Sequence, residues 1–255
     1  MNLVIGNTSQ LSRYFPDNYT KISSYGIDLN WIKSKSWSRI YLTMADSRTY
    51  IKDSSQFHNT NVVQTLELIK QLENCCDTLV WYSTADLWSD FSGVYNLDTP
   101  YAFKMNDYLY SKYIATKFLL QNRKSNTIIH YPVNFNSVYR KEGFLFSKIF
   151  KSLQEKQKIT VNNLNFHREM VHPKYVVQRS IESQQDEIIG SGRLIYVIDF
   201  VRQLYKSQNM DIHQYVENLN LPVIHNKLFV TNSVTHYNMG CLVQDTIEDL
   251  QKLGN

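Results

Sequence analysis

VIGNTSQLS, residues 4–12, decides how the rest of the chain is read. A short apolar run enters a turn at Gly6, and a helical pattern follows up to Pro16. Strand, glycine turn and helix in this order make the phosphate turn of a dinucleotide-binding fold. Its glycines have separate tasks: tight turning, close backbone approach to the pyrophosphate, and close helix–strand packing. Gly6 keeps the first task, while Ser9 and Ser12 stand at the next two three-residue steps. A serine adopts helical angles, so Ser9 is expected to place its hydroxyl near a pyrophosphate and donate to it. Ser12 is expected to loosen helix–sheet packing slightly. The first N–H groups of the helix still face an anion. The turn is therefore expected to bind a dinucleotide, more weakly than a glycine-rich one.

Outward from this turn the pattern alternates. LVIG (3–6), TKISS (20–24), RIYLTMA (39–45), DTLVWYST (77–84) and NTIIHYPVNF (126–135) read as strands. Residues 8–15, NVVQTLELIKQL (61–72) and NDYLYSKYIATKFLLQN (106–122) read as helices, the last capped by Asn106 or Asp107. Such alternation predicts an α/β fold, a Rossmann-type doubly wound parallel sheet. Residues 1–135 are expected to form this dinucleotide-binding core. The segment between the second and third strands is short, so one helix or strand is expected to be missing. From residue 136 to 255 the pattern loosens. Helices are expected at 143–157, 175–183, 193–208 and 246–253, and a strand at 158–163. They predict a small C-terminal substrate-side lobe interleaved with the core. Ligands of open parallel sheets sit at the carboxyl ends of strands. Residues 6–11, 43–46, 83–86 and 131–136 fall there.

Bulk composition removes several classes. With 255 residues, 43% of them hydrophobic, the chain can pack one large domain or a core with an appendage. A net charge of +4 with both signs interspersed, and no basic block interleaved with aromatics, argues against nucleic acid. No apolar run is long enough to cross a bilayer, and the N-terminus lacks a cationic lead with a cleavage site. Cys75, Cys76 and Cys241 give neither a disulfide framework nor a metal-ligand spacing. A cytoplasmic protein without a metal is the simplest expectation.

The chemistry is concentrated in YLYSK, residues 108–112. Tyr108 and Lys112 are four apart and share one helix face. An ammonium near a phenol lowers the phenol pKa and makes an acid/base for a carbonyl/alcohol pair near neutral pH. Thr84 or Ser83, at a strand end, would hydrogen-bond the reacting oxygen. Tyr113 and Lys117 repeat the spacing in the same helix, and spacing alone does not choose between the pairs. His167 and His172 are five apart among scattered histidines. Ser191 in GSGR (190–193) is not in a nucleophile elbow, and its GSG reads as a helix-leading turn.

The order of these pieces resembles the extended short-chain dehydrogenase/reductase family, nearest to its NAD-dependent nucleotide-sugar epimerases and reductases. GNTSQL (6–11) resembles the phosphate turn of the reductases, with serine at a usual glycine. IYLTMA (40–45) resembles the strand ending in paired alanines over the cofactor. NVVQT (61–65) resembles the Asn-Val-x-Gly-Thr helix start. VWYSTADLW (80–88) resembles the Ser-Thr strand end, and YPVNF (131–135) the Pro-x-Asn loop, here followed by Asn136-Ser137 where Tyr-Gly is usual. HREMVHPKYVV (167–177) resembles the Arg-Asp-Phe-Val-His signature, and IIGSGRLIYVIDFV (188–201) the segment after it. The resemblance runs from residue 3 to about 205.

The resemblance selects Thr84, Tyr108 and Lys112 as catalytic, since Tyr108 has Ser111 before the lysine; Tyr113 and Lys117 are then structural. It implies NADP or NAD held by Gly6, Thr8, Ser9, Gln10, Leu11, Asp28, Leu29, Thr43, Met44, Ala45, Ser83, Tyr108, Lys112, Tyr131 and Pro132. Asp28 resembles the adenine-contacting Asp. No carboxylate follows the second strand at Ser23-Ser24, which leans toward NADP, but no arginine replaces it and the choice stays open. A nucleotide-sugar is implied at Asp86, Asn134 and Arg168, with Arg168 on the diphosphate and His172 structural. Ala85-Asp86 after Thr84 lacks the acidic pair of the dehydratases, and the loop has no cysteine. What remains is 4-keto reduction or 4-epimerisation, with hydride transfer at a sugar carbon and Tyr108 moving the proton. A homodimer through the helices at 61–72 and 106–122 is implied as well, in a role such as polysaccharide biosynthesis. The alternative is a catalytically inactive nucleotide- or dinucleotide-binding regulatory or partner protein of the same fold.

Overall fold

The computed structural model describes residues 1–48, 55–89, 93–222, 229–232 and 235–254. Its first elements are strands β1 (Asn2–Ile5) and β2 (Thr20–Ile22), helix α1 (Leu29–Lys33) and β3 (Trp37–Leu42). Then come α2 (Ser55–His58), α3 (Thr65–Leu72), β4 (Cys76–Tyr82), β5 (Gly93–Tyr95), α4 (Asp107–Asn122), β6 (Thr127–Pro132) and β7 (Asn134–Phe135). Next are α5 (Leu145–Glu155), β8 (Ile159–Val161), β9 (His167–Val171), α6 (Pro173–Glu182), β10 (Glu187–Ile189) and β11 (Leu194–Tyr196). The chain ends with α7 (Val197–Ser207), α8 (Ile212–Tyr215), β12 (Val216–Asn218), β13 (Phe229–Thr231) and α9 (Met239–Gly254). Contacts divide the chain into two units, neither continuous in sequence. Residues 1–87, 101–132 and 177–189 form one; residues 88–100, 133–176 and 190–255 form the other.

The first unit is built on a six-stranded sheet in the order β10-β6-β4-β3-β1-β2. Every pairing is parallel. This is the Rossmann-type doubly wound sheet that the alternation predicts. Leu3, Val4, Ile5, Ile40, Tyr41, Leu42, Leu79, Val80 and Trp81 are fully buried, as strands covered on both faces require. In the common doubly wound order a third strand lies outside the second. Here β2 is the edge, and α1 leads straight into β3. The short segment after β2 has therefore kept a helix of five residues and lost a strand.

Side chains on the two faces of β4 show the double covering. Ser83 Oγ, just beyond the strand, hydrogen-bonds Thr116 of α4 at 2.7 Å. Tyr82, which points the other way, hydrogen-bonds Ser180 of α6 at 2.6 Å, and Ser180 also meets His130 Nδ1 at 2.8 Å. Burial lowers the His130 pKa to about 4, so this cluster is neutral. The Arg39 guanidinium donates to the carbonyls of Ser180, Ile181 and Ser183, and so caps the last turn of α6 with a cation.

Three expectations about elements need correction. The helix expected at 8–15 is a four-residue 3-10 turn over Leu11–Tyr14. Ser12 Oγ donates to the carbonyls of Asn7 (2.7 Å) and Ser9 (2.8 Å), a local alternative to a helical ladder, and Pro16 follows. The stretch 193–208 begins as a strand, because Leu194–Tyr196 pairs antiparallel with β9 before α7 starts. The last helix is 16 residues long, twice the expected stretch.

The second unit holds a three-stranded sheet β11-β9-β7 and two small parallel pairs, β12-β8 and β13-β5. Its polar centre is the Glu169 carboxylate, 3% exposed. It accepts from Gly192 N (2.6 Å), Thr231 N (2.8 Å) and Thr231 Oγ1 (3.1 Å), so GSG at 190–192 wraps a buried carboxylate. A Cβ on Gly190 would overlap Glu169 Oε1 and the Thr231 side chain.

Candidate active site

The turn after β1 places its residues by backbone geometry. Gly6 has φ +111°, and a Cβ on it would lie 2.8 Å from Thr43 Oγ1 and 2.9 Å from Met44 N. Only glycine fits both the conformation and the approach to the end of β3. Gly6 N and Asn7 N both donate to Ile22 O at 3.0 Å, which ties the turn to β2. Ser9 Oγ hydrogen-bonds Thr43 Oγ1 (2.9 Å) and accepts from Ser12 N (3.1 Å). The Ser9 expectation is thereby redirected, since Ser9 turns its hydroxyl to Thr43; Ser12, 1% exposed, ties the turn to itself. Thr8 is exposed, Gln10 leads into the 3-10 turn and Leu11 is buried.

Asp28 caps α1, its Oδ1 accepting from Trp31 N at 3.0 Å, with Leu29 as the first helical residue. Met44 and Ala45 follow β3, Met44 half-buried and Ala45 exposed. The loop after them is clamped by Asn61, which is fully buried in a π-helical stretch, Asn59–Gln64. Asn61 Oδ1 accepts from Asp46 N (2.9 Å), and its Nδ2 donates to Asp46 O (2.9 Å) and Ser111 Oγ (3.0 Å). Ser111 Oγ in turn reaches Tyr108 O at 2.7 Å. Asn61 was visible in the motif at 61–65, but no role was read from it.

At the end of β4 the two candidate hydroxyls separate. Ser83 is committed to Thr116, and its N–H donates to His130 O at 2.8 Å. Thr84, 8% exposed, accepts from Asp86 N at 3.2 Å. Among the described residues no acceptor takes the Thr84 hydroxyl hydrogen, so Thr84 is the one fit to donate to a substrate oxygen. Asp86 is half-buried in the 3-10 turn over Ala85–Trp88.

Helix α4 starts where Asn106 accepts from Leu109 N (2.9 Å), and this cap sets Tyr108 in the first turn. Tyr108 is half-buried, edge-on to Phe57 at 6.1 Å. Lys112 is 1% exposed. Its Nζ donates to Tyr82 O (2.9 Å) and lies 4.9 Å from the centre of the Trp81 ring. Burial lowers its pKa to about 7. Trp81 is a partner that spacing did not reveal. The second pair is placed differently: Lys117 is exposed and lies over the rings of Tyr101 (5.4 Å) and Tyr113 (6.0 Å). Tyr131 and Pro132 close β6. The Tyr131 side chain is buried against Tyr101, and burial raises its pKa.

The phosphate turn, the end of β3, Thr84 and the first half of α4 thus share one unit and the carboxyl edge of one parallel sheet. Asn134 and Arg168 belong to the other unit. There β7 pairs with β9, with Asn134 opposite Met170, and Asn136 Nδ2 donates to Asn134 Oδ1 at 2.6 Å. The Arg168 guanidinium lies 5.4 Å from the centre of the Phe166 ring. His172 is fully buried, its Nε2 2.9 Å from Asp249 of α9. Among the described residues no group of three or more His, Cys, Asp or Glu could hold a metal, and no helix is long and apolar enough to cross a membrane.

No family model matches the sequence, and no curated protein matches it. Solved structures share the fold. The UDP-glucose 4-epimerase of Thermotoga maritima, solved with UDP-glucose, superposes with a TM-score of 0.78 at 13% identity, over all of both chains. The UDP-glucuronic acid 4-epimerase of Bacillus cereus, solved with NAD, gives 0.76 at 12% identity, over 99% of this chain and 97% of that one. RMD from Pseudomonas aeruginosa, complexed with NADPH, gives 0.74 at 12% identity, over 99% of each. The chain therefore has the Rossmann-type fold of these proteins along its whole length. At such low identity the likeness is one of architecture.

Proposed function

We propose that the chain is an NAD(P)-dependent enzyme of the short-chain dehydrogenase/reductase type, acting on a nucleotide-activated sugar by 4-keto reduction or 4-epimerisation. One observation carries the reading: the Gly6 turn and the Thr84, Tyr108 and Lys112 positions lie at the same edge of one parallel sheet. The two nucleotide-sugar 4-epimerases among the similar structures, and the NADPH complex of the third, support it. The fit to a dinucleotide rests on the turn itself: Gly6, at φ +111°, closes tightly on the end of β3, the task of the first glycine in a phosphate turn. The backbone of Gly6 and of Thr8 to Leu11, with Asp28, Leu29 and Thr43 to Ala45, would hold it, together with the β4 and β6 ends. When bound, the nicotinamide supplies hydride donor and acceptor.

The protein's own part is proton transfer and orientation. Tyr108 Oη exchanges a proton with the sugar oxygen, and Thr84 donates to that oxygen. Lys112 favours the phenolate when charged; its buried seat also fixes α4 against the carbonyl end of β4. Arg168 and Asn134 bind the nucleotide-sugar, Arg168 through its diphosphate. The same reading carries a homodimer through α3 and α4, whose Tyr110 and Phe118 are 56% and 49% exposed. The test is incubation of UDP-glucose and UDP-glucuronic acid with NAD or NADP, and of 4-keto nucleotide-sugars with NADH or NADPH. Consumption of reduced cofactor identifies a reductase, and a new 4-epimer without net consumption identifies an epimerase. Neither, with dinucleotide bound, supports the alternative of a binding or partner protein without turnover.

A further inference from the structure

We infer that the Ser9 hydroxyl is a positioning group, which holds the phosphate turn in shape through Thr43 and does not itself touch the pyrophosphate. The inference rests on the dinucleotide reading above and deepens it.

The hydroxyl hydrogens fix the direction of each bond. Thr43 Oγ1 lies 3.1 Å from both Ile5 O and Gly6 O, which only accept. The one hydroxyl hydrogen of Thr43 therefore points at these carbonyls. The 2.9 Å contact with Ser9 Oγ must then be a donation from Ser9 to Thr43. Ser9 Oγ also accepts the Ser12 N–H at 3.1 Å. Its hydrogen is committed to Thr43, so none is left for a phosphate. Ser12 closes the network by donating to Asn7 O and Ser9 O. Thr43 is 7% exposed and Ser12 is 1% exposed, so these bonds are sheltered from water.

The network has a mechanical consequence. Gly6 meets the end of β3 so closely that its turn and Thr43 must move together. The Ser9–Thr43 bond adds a second tie across the same gap, and Ser12 a third within the turn. Side chains thus fix the backbone that a glycine-rich turn leaves to its ligand, and a pre-shaped site has less ordering to lose on binding. The hydroxyl at 43 and the hydroxyl at 9 are one device. Putting glycine back at position 9 would remove the device without restoring anything.

The experiment is titration of NADH and NADPH into the wild-type chain and into Ser9→Gly, Ser9→Ala, Ser9→Thr, Thr43→Val and Ser9→Ala/Thr43→Val, with melting curves on each. Ser9→Gly and Ser9→Ala are expected to weaken the dissociation constant by about fivefold to tenfold, the scale of one hydrogen bond. Thr43→Val is expected to do the same, the double variant to be no worse than either single one, and Ser9→Thr to bind as the wild type. Tighter or unchanged binding by Ser9→Gly, or losses that add in the double variant, overturns the inference while the dinucleotide reading stands. A lowered melting temperature with an unchanged dissociation constant also overturns it, since the network would then be structural only. Thr43→Val keeps the side-chain shape and serves if a Ser9 variant fails to fold. A wild-type chain that binds neither dinucleotide overturns both the reading and the inference.

Discussion

The turn at residues 6–12 and the strand end at residues 81–84 both lie at the carboxyl edge of the sheet, but they are built in opposite ways. In the turn, hydroxyls stand at glycine steps and give their hydrogens to the chain itself: Ser9 to Thr43, and Ser12 to two carbonyls. At the end of β4, Thr84 has no acceptor among the described residues, and Lys112 is buried on Trp81. The first region satisfies its hydroxyls internally. The second keeps the Thr84 hydroxyl hydrogen in reserve and bears the cost of burying Lys112. A binding turn needs shape, which internal hydrogen bonds supply. A proton-transfer site needs groups whose partner is the substrate.

The largest effect is expected at Gly6. Gly6→Ala must hold alanine at φ +111° with its Cβ against Thr43 and Met44, a strain on the order of 1–3 kcal/mol before any overlap. Loss of dinucleotide binding and a lower urea midpoint are expected. Retained affinity would show that the turn can take another shape. Tyr108→Phe comes next: turnover is expected to fall by about 100-fold to 10,000-fold with dinucleotide affinity intact, as steady-state kinetics and titration would show. Activity that survives would move the proton transfer to the Tyr113 pair.

Lys112→Met sharpens the energetic side. The folded pKa of Lys112 is about 7, below its ordinary 10.5, so over that window the unfolded chain binds the extra proton. Its contribution to stability therefore rises with pH, by about 1.4 kcal/mol per pH unit, and its penalty is fully present below pH 7. Methionine removes this dependence. Urea unfolding between pH 7 and pH 9 should give a flatter profile for the variant and higher stability at pH 7, with turnover lost. A profile parallel to wild type would mean that Lys112 is solvated. Arg168→Ala is the mildest: about tenfold weaker nucleotide-sugar binding with dinucleotide affinity unchanged. An unchanged nucleotide-sugar dissociation constant would remove Arg168 from the site.

The parallel sheet was legible because its strands are continuous apolar runs between helical patterns, from LVIG to NTIIHYP. The lost edge strand was legible as a missing length. The short 3-10 turn in place of the helix expected at 8–15 was not, since Ser12 competes for backbone carbonyls that a helix would use. Strand β11 was hidden in a helical pattern, because its partner β9 lies elsewhere in the chain. For the site, spacing gave Tyr108 and Lys112, and order of motifs chose them over Tyr113 and Lys117. The direction of the Ser9 hydroxyl, the Trp81 ring under Lys112, and the Asn61 and Glu169 networks depend on residues 15 to 62 positions apart, and only folding brings these together.

Calorimetric titration of the purified chain with NADPH and NADH, after a denatured sample has been checked for co-purified cofactor, decides whether the Gly6 turn holds a dinucleotide. Saturable binding of one dinucleotide per chain, or its release on denaturation, is the predicted result. No heat of binding and no released cofactor would contradict the account and leave the turn a self-satisfied loop without a ligand.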